Sequence, residues 1–421
     1  MNGASMLKPP LGGGGIPIRG TGEGSAARTA RALVRPLDRA ARALRTSRLN
    51  WATPAWISVA AALALSVLGL DAIATTEPAH ALRQGIFLGV ALLAAAAAAL
   101  PGTRFVQRAS WVLFGVTVAL LVFVMLPGVP DWLVHPRNGS RRWINLGVTD
   151  FQPSEVAKIA WILVMAEWLR GTSAHRTFTG LAVPFAITFV PLVLVLVEPD
   201  LGTSMLFVPT LFAMLLAAGA RKRHIAAIVL MGAVAAPLTY PFLRPHQRER
   251  IDALIAQVQG DDRFAQGIGF QGDRAMTLAG AGGLTGVGRE HARALVIHNA
   301  LPEEHNDMIF SVVCCRWGFL GGAFVWLLTL AFAAGGLLTA ALVRQPFGRL
   351  VAVGVVAIVI SQAVINTGMN IGVLPITGMT LPFVSYGGSS LVTTWAMVGL
   401  VLGIGLRRPR RMERDSFQFD E

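Results

Sequence analysis

Charged side chains are scarce in this sequence. Asp, Glu, Lys and Arg make up 14% of its 421 residues, against roughly 25% in an ordinary soluble domain. That shortage excludes a conventional soluble globule. Acids are scarcer than bases, 23 against 36, which leaves a formal net charge of +13. Cysteine is nearly absent: Cys314 and Cys315 are adjacent, and neighbours in sequence pair poorly, so no disulfide framework is expected. The first 50 residues lack the short apolar core of a signal peptide, so no cleavage is expected.

What fills the chain instead is apolar. Hydrophobic residues make up 54%, with 45 glycines, and windows of about 20 residues, long enough to span hydrocarbon, recur after residue 50. Ten are legible, near 53–71, 84–100, 109–126, 153–169, 180–197, 201–219, 224–242, 308–342, 350–373 and 386–406. The expected fold is all-α: a polytopic integral membrane protein of about ten transmembrane helices. An even number of spans puts both termini on one side. Alternating the connections, 23 Lys and Arg fall on the side of the termini and 11 on the other, seven of these in one long loop. Positive residues stay cytoplasmic, so both termini are expected inside the cytoplasmic membrane. The positive charge is thus a topology signal and an attraction to anionic lipid, not a sign of nucleic-acid binding.

The expected organisation is a basic cytoplasmic tail (1–50), a membrane domain (51–406) and a short cytoplasmic tail (407–421). Residues 1–25 are Gly/Pro-rich and read as disordered. Arg28, Arg31, Arg35, Arg39, Arg42 and Arg45 follow at helical spacing and read as an inner-leaflet segment or a disordered anchor. Two outer connections are long, 127–152 and 243–307, and the second should be structured. Within 246–259, Ile251, Leu254, Ile255 and Val258 give one apolar face, the pattern of an interfacial helix. The glycines of "LAGAGGLTGVG" permit tight turns and close backbone approach to a ligand.

Ionisable residues near membrane depth are costly and functional by default. In "RRWINLGVTDFQPSEVAK" (141–158), Pro153 suits a first helical turn, which puts Glu155 and Lys158 on one face. A lysine there opposes the positive end of the helix dipole and needs an anionic companion, either Glu155 or a ligand. With Arg141 and Arg142 just upstream, an anion site and an internal ion pair are both open. In "EPDLGTS" (198–204), Asp200 reads as a helix cap before it reads as anything else. In "LPEEHNDMIF" (301–310), Asp307 sits where a helix enters the bilayer, beside His305 and after Glu303 and Glu304. It is either a cap or a carboxylate that burial makes basic enough to take a proton. "GVLPITGMTLPFVSYGGSS" (372–390) is nearly uncharged and breaks with Pro375, Pro382 and Gly387–Gly388. Irregular backbone at that depth must line a cavity or be buried in protein.

Taken in order, "RRWINLG", "FQPSEVAK", "EPDLGTS", "LPEEHNDMIF" and "LPFVSYGGSS" resemble the signatures of the shape, elongation, division and sporulation family, the RodA/FtsW group. The resemblance runs from about residue 141 to 390 and, through the ten-span pattern, over most of the chain. It implies a peptidoglycan glycosyltransferase that polymerises glycan strands from lipid II at the outer face of the membrane. A class B penicillin-binding protein would be its cross-linking partner. It assigns the essential acid to Asp307 and carries Glu155, Lys158 and Asp200 over as site residues. Three positions depart from the pattern. Asn306 stands for a threonine and Glu198 for a glutamine, and Cys314-Cys315-Arg316 stand where "GEE" is usual. "PHQRER" and "LPITGMTLPFVSYGGSS" lean toward the elongation branch, the long basic tail toward the division branch.

On this reading Asp307 is the base that deprotonates the C4 hydroxyl of the acceptor GlcNAc. Lys158, Arg141 and Arg142 steady the polyprenyl diphosphate leaving group, and His305 and Asp200 complete the substrate contacts. One base with direct displacement implies inversion at the anomeric carbon. No metal-ligand set stands out and no cofactor is firmly implied, though a divalent cation fits beside a diphosphate. The rival readings are a lipid II flippase, which would need a charged path through the membrane, and a silent scaffold for a cross-linking partner.

Overall fold

The computed structural model describes residues 49–407 apart from 138–139, 146, 148–149, 243–247, 250, 254 and 257–268. The basic arginine face of the N-terminal tail, the 257–268 segment and the tail beyond 407 lie outside the described residues. So do Leu254 and Val258 of the interfacial-helix pattern; helical turns are present at 248–249, 251–253 and 255–256.

The chain is mostly helical. Its helices are α1 (Ala55–Thr76), α2 (Pro78–Ala99), α3 (Thr103–Met125), α4 (Pro153–Gly171), α5 (Ala182–Val197), α6 (Leu201–Ala218) and α7 (Lys222–Thr239). Then follow the short α8 (Phe270–Ala281) and α9 (Arg289–Asn299), and the long α10 (Ile309–Leu342), α11 (Pro346–Asn370) and α12 (Gly388–Leu406). Eight of the described helices are long and apolar enough to cross a membrane. The other two long ones, α4 and α7, fall where the hydropathy pattern places spans. Charge sets them apart: α4 carries Glu155, Lys158, Glu167 and Arg170, and α7 opens on Lys222, Arg223 and His224.

Local chemistry explains the boundaries. Pro78, Pro153 and Pro346 stand in the first turns of α2, α4 and α11, where the missing N–H costs nothing. Gly219 ends α6 in the left-handed region at φ 90°. Apolar residues surround each long helix, so packing is decided by shape rather than by one greasy stripe. The central helix is α11, packed against α4, α6, α10 and α12. The closest pairing is α12 on α2. A Cβ on Gly399 would lie 2.1 Å from the Ala95 carbonyl oxygen, and one on Gly403 2.7 Å from that of Ala99. Only glycine allows that approach, four residues apart along one face.

Two features depart from the all-helical expectation. Residues 134–151 form a small antiparallel sheet, β1 (Val134–Arg137), β2 (Ser140–Asn145) and β3 (Asp150–Phe151), in the order β1-β2-β3. Its Val134 and Ile144 bury against Val124 and Val129 at the end of α3, which gives these short segments a reason to be strand. The second is a break in α10 at Gly318, whose φ of 70° and ψ of −165° interrupt the helix. The 282–288 loop lies along that break. Val287 and Gly288 donate to the carbonyls of Cys315 and Arg316 at 3.1 and 3.2 Å, and Phe319 and Leu320 donate to Gly283 and Leu284 at 2.9 and 3.1 Å. Gly282 and Gly286 of this loop therefore approach the backbone of α10. A Cβ at Gly282 would meet the Cys314 oxygen at 1.9 Å and one at Gly286 the Arg316 oxygen at 2.1 Å.

Candidate active site

The polar residues singled out in the sequence gather at one end of the bundle, around the 376–390 turn. Asp307 lies in a turn in which Asn306 and Met308 donate to the Glu303 carbonyl at 3.0 and 3.3 Å. The cap position of α10 falls on Met308, not Asp307, and the Ser311 amide is satisfied by Asn370 Oδ1 at 3.2 Å. Asn366 and Asn370, one turn apart on α11, both donate to the Asp307 carbonyl, at 2.8 and 2.9 Å. Asn366 also reaches the Met379 carbonyl at 2.6 Å. This clamp fixes the backbone of residue 307 against the 379 turn. The Asp307 side chain is 9% exposed, and a Cβ on Gly378 would stand 3.8 Å from its Oδ2. Gly378, at φ 70°, holds the turn close to the carboxylate.

From there the contacts run to the other acids. Thr380 and Ser390 share a hydroxyl hydrogen bond of 3.3 Å, and the Gln152 amide donates to Ser389 Oγ at 3.2 Å. The Gln152 side chain donates to Asp200 Oδ2 at 3.2 Å. Asp200 is the N-cap of α6: its Oδ1 accepts from the Thr203 amide at 3.0 Å, the role its position suggested. Gly202, on the same first turn, faces Met379 and the Thr377 carbonyl.

Glu155 and Lys158 form a closed pair, with Nζ 2.9 Å from Oε1 and 2.8 Å from Oε2. Lys158 is 0% exposed. Glu155 is therefore one companion of this lysine, as its spacing suggested. The two arginines diverge, because successive side chains on a strand point to opposite faces. Arg142 turns into the site and donates to the carbonyls of Glu198 and Pro199 at 2.7 and 2.6 Å. Arg141 turns away, to the Val129 carbonyl and to Asp131 at 3.3 Å. The two arginines that stand side by side in the sequence thus meet different protein partners.

Glu198 is 2% exposed, and neither carboxyl oxygen has a hydrogen-bond partner among the described residues. Burial, and then the nearby Asp200 carboxylate, push its carboxyl up to about 8, against a smaller opposing pull from Arg142.

His305 stacks on His80 of α2 with ring centroids 4.6 Å apart, and Tyr386 meets both rings edge-on. The Tyr386 amide donates to the His305 carbonyl at 2.9 Å. Burial holds His305 below the ordinary histidine range; the carboxylate of Glu304 pulls the other way, and His80 adds to the lowering. Sequence reasoning missed His80, Tyr386, Asn366 and Asn370. The two asparagines, i and i+4 on an otherwise apolar helix, were the readable signal.

The unusual Arg316 is answered within the fold. It pairs with Asp71 Oδ2 on α1 at 2.6 Å and donates to Thr75 Oγ1 at 2.7 Å. Cys314 and Cys315 are free thiols. Among the described residues no three His, Cys, Asp or Glu side chains are grouped to hold a metal ion.

A bundle of apolar helices with a polar, carboxylate-rich cluster at one end defines a multi-pass membrane protein. The chain belongs to the FtsW/RodA/SpoVE family of cell cycle proteins, whose family model matches residues 48–408. The probable peptidoglycan glycosyltransferase FtsW of Thioalkalivibrio sulfidiphilus is 34% identical over 330 residues, 76% of this chain and 79% of that protein. The peptidoglycan glycosyltransferase MrdB of Escherichia coli K12 is 34% identical over 271 residues, 64% of this chain and 72% of its own length. Among solved structures, a chain of a peptidoglycan synthase complex that coordinates polymerization and crosslinking superposes with a TM-score of 0.71. That chain is 29% identical, with 83% of this chain and 97% of the other covered.

Proposed function

We propose that this chain is a peptidoglycan glycosyltransferase that transfers the growing glycan from its polyprenyl diphosphate to the GlcNAc C4 hydroxyl of lipid II. Its family membership and its named relatives support the activity. The observation that carries the chemistry is Asp307, a nearly buried carboxylate whose backbone is clamped by Asn366 and Asn370 against the Gly378 turn. A base must be held still and partly dry to take a proton at neutral pH, and that clamp supplies both conditions. Asp307 takes the hydroxyl proton as the anomeric bond to the diphosphate breaks, with inversion.

Arg142 is the cation with exposed surface beside the acids, and it neutralises charge developing on the diphosphate. Lys158, enclosed with Glu155, is a positioning residue: the pair fixes the first turn of α4, and with it Gln152 and Asp200. Arg141 anchors the sheet to the end of α3. His305 and His80 form a wall of the acceptor region. In the membrane, α4 and α7 complete ten spans, both termini are cytoplasmic, and the site faces outward. A class B penicillin-binding protein is the partner that cross-links the product.

Two observations weigh against the rival readings. The charged residues gather at one end instead of forming a path, which favours an enzyme over a transporter. The Asp71–Arg316 pair balances the charge of the unusual "CCR" segment, which removes the main support for a silent scaffold. The test is to incubate purified protein, with and without a class B partner, with labelled lipid II. Polymer is expected, stimulated by the partner; labelled lipid II left as monomer in both preparations would overturn the proposal.

A further inference from the structure

We propose that the cleft between the α1–α2 turn, α9 and the 300–304 turn binds the peptide branch of the glycan precursor, with Glu77 and Glu304 facing an ammonium and Arg293 a carboxylate. This rests on the reading of the chain as a lipid II polymerase and adds the part of the substrate that the sugar and diphosphate contacts leave unhoused.

The cleft has a volume of about 460 Å3, within the range of roughly 300–1,000 Å3 typical of small-ligand sites. Its walls are fixed before anything binds. Arg289 at the start of α9 donates to the Ala74 carbonyl at the end of α1, at 3.2 Å. Arg316 ties the same end of α1 to α10. Both signs of charge line the cleft: Glu77 and Glu304 on one side of the balance, Arg293 on the other. Among the described residues neither Glu304 nor Arg293 is held by a salt bridge or a hydrogen bond, and no salt bridge joins them across the cleft. Opposite charges kept apart in one recess suit a ligand that carries both, such as a peptide with a side-chain amine and free carboxylates. An apolar ligand would strand them, and a simple anion would meet two carboxylates.

The position relative to the chemistry also fits. Glu304 lies in the same turn as Asp307, the turn closed by the Asn306 and Met308 amides on Glu303. On its other side the cleft meets the His80–His305 stack, since Glu77 pairs with His80 at 3.7 Å. A peptide seated here leaves its sugar one turn away, at the carboxylate.

The experiment compares two substrates on two proteins. Lipid II with its full peptide is set against the same lipid trimmed to the first two amino acids, which removes the side-chain amine. The proteins are the full chain and the charge-neutral double variant Glu304→Gln with Arg293→Gln, checked for equal thermal stability. Equilibrium binding and polymerisation are both measured. For the full substrate the double variant is expected to raise Kd and KM about tenfold with kcat changed less than about twofold, the pattern of lost uniform binding. For the trimmed substrate, which keeps a carboxylate for Arg293 but no amine for Glu304, both values should move clearly less. Equal changes for both substrates, or none for either, would overturn the proposal. If the unaltered chain bound the full lipid better but polymerised neither, the cleft would stand and the polymerase reading would fall.

Discussion

Glu198 occupies a connection of three residues between α5 and α6, closed in by protein and without a hydrogen bond to either carboxyl oxygen. Its carboxyl is pushed up to about 8, so its effect on stability has a definite sign. At low pH it is protonated whether the chain is folded or not and makes no difference. As pH rises the unfolded chain ionises first, near 4.5, so stability drains away between about pH 4.5 and 8. Glu198→Gln removes that loss. Its melting temperature in detergent should fall less between pH 5 and pH 9 than that of the unaltered chain, by an amount worth several kcal/mol at about 1.4 kcal/mol per pH unit of separation. Parallel pH curves would contradict this account. Lys158 gives a second prediction. Lys158→Met leaves a buried, unpaired Glu155, and breaking a buried pair costs about 3–5 kcal/mol. The double variant Glu155→Gln with Lys158→Met should therefore recover most of the stability and much of the polymerisation. A stable but inactive double variant would show that Lys158 touches substrate after all. At this scale the sequence made the charged residues visible but not their partners. Spacing along a helix puts Lys158 beside Glu155, yet nothing local could show that the lysine has no exposed surface, or that Arg141 and Arg142 part company on a strand.

Among the elements, α10 and the glycine-rich loop form one unit. The break at Gly318 frees the carbonyls of Cys315 and Arg316 and the amides of Phe319 and Leu320, and the 282–288 loop satisfies all four. Gly286 sits at φ 85° with no room for a Cβ. Gly286→Val should therefore cost at least about 2 kcal/mol, from backbone strain and from the displaced loop. It should also loosen the 282–320 region, readable as faster amide exchange of Phe319 and Leu320. Unchanged exchange at those two amides would sink the idea. The helices themselves were legible because spans of this length leave no other reading, and Pro153 marks the start of α4; α2 and α11 begin at Pro78 and Pro346, earlier than the expected 84 and 350. The sheet and the α10 break were not. Strands of two to six residues rest on Val134 and Ile144 finding Val124 and Val129, and the break rests on a loop some 30 residues earlier in the chain. Such contacts have no periodicity to betray them. Nor did Gly399 and Gly403 stand out, since glycines at that spacing mean something only when an alanine-rich neighbour such as α2 is known to lie alongside.

At the scale of the membrane domain, apolar helices hold a polar cluster at one end, and the 376–390 turn connects its parts. Asp307 touches that turn through Gly378, Asp200 and Gly202 approach it through Gln152 and Met379, and α4 meets it at Ser389. Glu155, Glu198, Asp200 and Asp307 are buried there, and the 303–304 side of the cluster is its more open side. Glu303 and Glu304, which lie on that open side, should tolerate Gln with losses in turnover far smaller than any at Asp307. The central claim is that Asp307 is the base, and one substitution separates that from a structural role. Asn keeps the size and most hydrogen-bonding capacity of the side chain but cannot accept a proton at neutral pH. Loss of a general base typically costs about 10²–10⁴-fold in rate. The decisive measurement is polymerisation of labelled lipid II by purified Asp307→Asn protein, free of other polymerases, alongside its melting temperature. The account predicts a melting temperature within a few degrees of the unaltered chain and almost no polymer; substantial polymer from that variant would contradict it.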